Sequence, residues 1–182
     1  MNSSVTDNSR LGCALDTLEL LKKAPKDVSA ERVVEVLQTL PPHYRDTQQE
    51  KEMQGVRDAP DWCGYEMRVW ELSEVIRVYL RRKRGMRGKC QVLDAVAEIA
   101  SNAEYGKGRQ NFVLLLSQYG GQEYSDVLGR LLEDRDVLGH AVKGLAKLRD
   151  PAYVAKIESI LSDAKIGWIK AAARKYLRNS QQ

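Results

Sequence analysis

The chain has 182 residues, 43% of them apolar and 30% charged, with a formal net charge of +4; these values fit one globular domain, with or without an appended arm, rather than a disordered or membrane chain. No apolar run exceeds the five residues Phe112 to Leu116, too short to cross a bilayer, and the start at Met1 has neither the cationic head nor the apolar stretch of a secretory signal. Three dispersed cysteines (Cys13, Cys63, Cys90) and two histidines (His43, His140) offer no zinc-ligand spacing and no cofactor site. They read instead as small buried thiols in a reducing compartment, the cytoplasm.

Along the chain almost every periodic stretch is helical. Leu11, Leu15, Leu18 and Leu21 recur at spacings of three and four before Lys22, Lys23 and the stop at Pro25. Ser29 is placed to cap a second helix, with Glu31 in its first turn and Val33, Leu37 and Leu40 on one face. Pro41-Pro42 ends it, because the second proline pushes its predecessor out of helical angles. Residues 41–61 are polar and read as a linker or a weak exposed helix. Trp62 follows, either as an exposed binding anchor or as a plug between the amino-terminal helices and the rest; the plug is favoured because most tryptophan is largely buried. A third helix runs from about Glu66 to Arg84, with Val69, Leu72, Ile76 and Tyr79 inward and Trp70 in the core.

From Lys89 onward the helical stretches shorten and the breaks tighten. They cover Lys89–Asn102, Arg109–Tyr119, Glu123–Glu133, Asp136–Leu148, Pro151–Ser162 and Ala164–Arg178. Nothing alternates with the period of a strand and no hairpin dipeptide occurs. The expected class is therefore all-α, with a helical amino-terminal region over 1–88 and a second region over 89–182, forming one continuous domain.

The second region repeats. At an offset of 29, Tyr124 falls on Tyr153, Leu128 on Ile157, Leu131 on Ile160, Leu132 on Leu161, Asp134 on Asp163, Val137 on Ile166 and Leu148 on Leu177. Each unit reads as helix, Asp-containing turn, helix. Asp163 is expected to cap the second helix of its pair, and Asp150-Pro151 opens the last pair with an N-cap carboxylate and proline at the first helical position. Lys89–Tyr119 looks like a longer-looped copy ending at Gly120-Gly121, where a left-handed C-cap would need glycine. Helical hairpins of this kind bury their apolar faces only by stacking on neighbours.

The stretch Arg149 to Asp163 and the alanine- and leucine-rich helix His140 to Leu148 resemble the HEAT-like repeat family. The resemblance covers about 89–178 and departs from the family at Gly167-Trp168 and in the long turn Asn102–Gly108. It implies a right-handed α–α superhelix with a helical amino-terminal extension, and a concave face, lined by second helices, that serves as a binding surface. Some members of this class bind DNA there, and alkylpurine glycosylases use an aspartate and aromatics in the groove. Asp163 and Trp168 are the only hint of that here, and Asp163 reads better as a cap. Metal-dependent HEAT enzymes use His-Glu pairs, and no such dipeptide occurs in this chain.

Charge gathers in two places. Residues 1–90 hold 16 basic and 14 acidic residues, and six of the basic ones are Arg81, Arg82, Lys83, Arg84, Arg87 and Lys89. Without that run the half would be acidic. It can serve as a solvated helix end, a docking element for an acidic protein, or a phosphate grip. The second set lies on the second helices of the repeats: Lys143 and Lys147, then Lys170, Arg174 and Arg178, each at spacings of four and so on one helical face. No GxSxG, GxxxxGK[ST] or HExxH motif is present, and His140 sits among residues that should pack. The resulting expectation is a non-enzymatic adaptor that captures a protein partner on a rigid helical surface, with nucleic acid as the alternative and no membrane contact. Small HEAT-like proteins include adaptors and neutralising partners of bacterial toxins; a positive net charge is less typical of an inhibitor of a nuclease toxin.

Overall fold

The computed structural model describes residues 20–23, 27–40, 65–82 and 88–180. Among them the chain is mostly helical and contains no strand, as an all-α class requires. None of the described helices is long and apolar enough to cross a membrane. Contacts divide the chain into two units, up to Arg109 and from Gln110 onward.

In the first unit, helix α1 spans Ala30–Thr39, α2 Tyr65–Arg82 and α3 Lys89–Ser101. Ser29 begins α1 as expected, its hydroxyl accepting a hydrogen bond from the Arg32 amide at 3.3 Å. Val33 and Leu37 are buried, and α1 packs against α3. On α2, Val69, Leu72, Ile76 and Tyr79 form the buried stripe, while Trp70 is half-buried rather than core. The Tyr79 hydroxyl donates to the Val28 carbonyl at 3.3 Å, and burial raises its pKa. Gly88, at φ 85, precedes α3 in the left-handed region that glycine tolerates.

The long turn after α3 is a 3₁₀ segment, Ala103–Arg109, that packs on α2. The Lys107 amide donates to the Glu66 carboxylate at 3.0 Å, and a methyl group on Gly108 would stand 2.5 Å from the Glu66 carbonyl oxygen. Glycine is thus required there for close approach. Arg109, only 1% exposed, donates from Nε to the Gly106 carbonyl and from Nη1 to the Ala100 carbonyl near the end of α3. A buried cation at a helix C-terminus meets both the free carbonyls and the negative pole.

The second unit begins with α4, Gln110–Tyr119, followed by two hairpins. In the first, a 3₁₀ turn Gln122–Tyr124 leads into α5, Ser125–Arg130, and a closing 3₁₀ turn Leu131–Glu133 precedes α6, Leu138–Leu148. In the second, Pro151–Tyr153 leads into α7, Val154–Asp163, and then α8, Gly167–Ser180. Helix α6 is the centre: Ala141, Val142 and Leu145 are fully buried, and α4, α5 and α8 all pack on it.

The 29-residue offset has a backbone counterpart. Tyr124 and Tyr153 each end a 3₁₀ turn, with φ,ψ of −100°, 5° and −107°, 14°. The carbonyls of Val137 and Ile166 each accept the amides three and four residues on, so both open a second helix. Asp150 caps as expected, accepting from the Ala152 amide at 3.0 Å, and it also accepts from the Ser125 hydroxyl. The Tyr176 hydroxyl ties the second hairpin shut, donating to the Asp150 carbonyl and accepting from the Tyr153 amide at 3.1 Å.

Several local expectations are corrected. Gly121 is extended at φ −150, and among the described glycines only Gly88 and Gly106 have positive φ. The left-handed C-cap in this unit is Arg149, at φ 62, after α6. Gly120 is needed for space instead, since a methyl there would stand 2.5 Å from the Leu116 carbonyl oxygen and meet the Tyr124 ring. Asp163 is the exposed last residue of α7, one turn ahead of α8 rather than at its cap. Its counterpart Asp134 does shape a turn, accepting from the Asp136 amide at 3.0 Å. Trp168 is 47% exposed, and Ile166 is 53% exposed where Val137, its counterpart at the offset of 29, is fully buried. Cys90 is an exposed thiol rather than a small buried hydrophobe; Cys13 and Cys63 lie outside the described residues.

Candidate functional site

The cations predicted as binding residues separate. Arg81 and Arg82 are exposed in the last turn of α2, where positive charge meets the helix's negative pole, and Lys89 is the half-buried first residue of α3. Lys83, Arg84, Arg87 and Trp62 lie outside the described residues. The remaining candidates are in the second unit, and there the structure is specific.

Lys143 and Lys147 of α6 line a groove of about 400 Å³, together with Arg149 from the cap and Lys175 from α8. Leu114, Ser117 and Gln118 of α4, Ala146 of α6 and Asn179 of α8 complete its wall. Four cations line this groove and no carboxylate does. None of the four is ion-paired among the described residues; the pairs present, Arg32–Glu35, Arg77–Glu74 and Lys156–Glu133, lie elsewhere. Burial lowers the pKa of Lys147, the cost of withdrawing an ammonium from water.

The end of α6 is prepared for this. Its last carbonyls would present a negative pole to the groove, yet three of the last four already hold donors. The Arg149 amide donates to Leu145 at 2.9 Å, Asn179 Nδ2 to Ala146 at 2.9 Å, and Gln122 Nε2 to Leu148 at 2.7 Å. With those carbonyls occupied, the cations dominate the local field.

Sequence periodicity found half of this set. On α8 the buried stripe is Ile169, Ala173 and Tyr176. At about 100° per residue, Lys175 and Asn179 fall on one flank of that stripe, Lys170 and Arg174 on the other, and Arg178 opposite it. Only the first flank lines the groove. Lys170 and Arg174 therefore share a helix face but do not join Lys143 and Lys147. Arg149 escaped notice because its role depends on a positive φ at an arginine, which no residue pattern announces.

A second feature stands at the start of α8. The Trp168 ring lies over Gly139, where any added side-chain carbon would overlap it, and meets the His140 ring edge-on at 5.3 Å between centroids. Burial, with Lys143 nearby adding to it, lowers the His140 pKa to about 4, so the imidazole is neutral at neutral pH. The first unit also has a groove of about 340 Å³, lined by Glu31, Val34, Glu35, Gln38 and Thr39 of α1 and by Gln91 of α3. Among the described residues, no group of three or more histidines, cysteines or carboxylates is arranged to hold a metal ion.

No family model, curated protein or solved structure matches the chain.

Proposed function

We propose that this chain is a non-enzymatic binding module that captures a protein partner, with the basic groove of the second unit facing an acidic part of that partner. In this reading the hairpins α5–α6 and α7–α8 stack as HEAT-like repeats of a right-handed α–α superhelix. The observation that carries it is the groove itself: Lys143, Lys147, Arg149 and Lys175 gathered with no acid among them. Holding four like charges together is unfavourable until an anionic partner neutralises them. Because the cations project from packed helices, little backbone order has to be paid for on binding. The groove also lacks a carboxylate or imidazole to work with its lysines as an acid–base pair. The exposed thiol of Cys90 favours a reducing compartment, the cytoplasm.

The test is a photo-crosslinking residue in place of Gln118, an exposed groove position, in the full chain in its native cells. A protease-sensitive adduct that disappears in a Lys143→Glu/Lys147→Glu background is the expected result. A nuclease-sensitive adduct would replace this reading with the nucleic-acid one, which draws on the same cations.

A further inference from the structure

Charge alone does not choose among anions, but the lining of the groove does. No aromatic side chain is among its residues, so it offers no platform on which a nucleobase can stack. Three of its four cations are lysines, flexible point charges, whereas bidentate phosphate recognition draws on planar arginine forks. Leu114, half-buried, adds apolar surface among the cations, for which a phosphodiester backbone has no use. Lys143 and Lys147 stand one turn apart on α6, with about 5–6 Å between their β-carbons. Carboxylates two residues apart on an extended peptide are spaced by about 6.6 Å, a close match.

We infer that the groove binds a short, extended acidic segment of the partner protein, its carboxylates meeting Lys143, Lys147, Arg149 and Lys175 and an apolar side chain resting on Leu114. This rests on the protein-binding reading above and specifies what the partner must present.

The experiment is fluorescence anisotropy with the full chain and a labelled octapeptide of alternating glutamate and leucine, across a salt series. The peptide is expected to bind at low salt and to weaken as salt rises. Lys143→Glu/Lys147→Glu should lower the affinity by about tenfold or more, a loss of about 1.4 kcal/mol. Lys143→Ala/Lys147→Ala should lower it less, and circular dichroism checks that each variant folds. Arg81→Glu/Arg82→Glu changes the net charge by the same amount and should leave binding intact. A glutamate–serine octapeptide should bind several-fold more weakly than the glutamate–leucine one.

Three results would overturn the inference: no peptide binding at low salt, equal loss in the Arg81/Arg82 variant, or tighter binding of a single-stranded oligonucleotide of matched charge. If the peptide fails while crosslinking from position 118 still yields a protein adduct, the acidic-segment inference falls and the protein-binding reading stands. If the adduct is absent as well, both fall.

Discussion

Arg149 holds its backbone at φ 62, a conformation that costs a residue with a β-carbon about 1–2 kcal/mol. The strain persists because its amide closes α6 on the Leu145 carbonyl and its side chain joins the groove. Arg149→Gly and Arg149→Ala both remove the charge, so their difference isolates the backbone. Chemical denaturation should show the glycine variant more stable than the alanine one by about 0.5–1 kcal/mol. At Tyr176, one hydroxyl serves as donor to Asp150 and acceptor from Tyr153. Tyr176→Phe leaves both backbone groups without that partner and should cost about 1–3 kcal/mol in the same measurement. His140 makes a pH prediction. Its folded pKa is about 4 against an ordinary value of 6.5, so between those values the unfolded chain binds more protons. Its contribution is therefore fully present above about pH 6.5 and is lost as pH falls toward about 4. His140→Gln should flatten the stability profile across that window and leave it unchanged above it.

The hairpin is the element that sequence reading captured best. Asp150-Pro151 was legible as a helix start because a carboxylate followed by proline has few other uses, and the structure gives that carboxylate two donors, the Ala152 amide and the Ser125 hydroxyl. Asp150→Ala should destabilise the second unit by about 1–2 kcal/mol, read as a lower urea midpoint with an unchanged slope. Helix interiors were legible because their apolar spacing is set by burial of one face. Terminal details were less so. Glycine at 120 and 121 suggested left-handed backbone, but at Gly120 the requirement is space beside Tyr124, which only the folded chain reveals. The turn over Gly106 and Gly108 looked like a departure from a repeat; it is shaped by Glu66, a residue far away in sequence.

The net charge of +4 says little about where charge acts. Sequence spacing recovered Lys143 and Lys147 because they share one helix. It missed Lys175 and Arg149 because they arrive from a second helix and from a strained cap, and it joined Lys170 and Arg174 to the set although they follow the opposite flank of α8. Local periodicity reports which residues share a face; only packing reports which faces meet. Clustered cations also make stability responsive to whatever neutralises them. Saturating the glutamate–leucine octapeptide to about 100 times its Kd should stabilise the folded chain by about 2.7 kcal/mol, seen as a raised thermal midpoint. Lys143→Glu/Lys147→Glu should abolish that rise.

Gly139 and Trp168 form a lock whose two halves are not interchangeable in time. Gly139 lies within α6, where alanine would favour the helix by about 1 kcal/mol, and yet a methyl there would occupy the space of the Trp168 ring. Replacing Gly139 first must expel the indole; replacing Trp168 first vacates the seat and turns the same glycine-to-alanine change from harmful to helpful. The sign of the Gly139→Ala change should therefore depend on which residue occupies position 168. A double-mutant cycle on Gly139→Ala and Trp168→Ala should give a coupling well outside additivity.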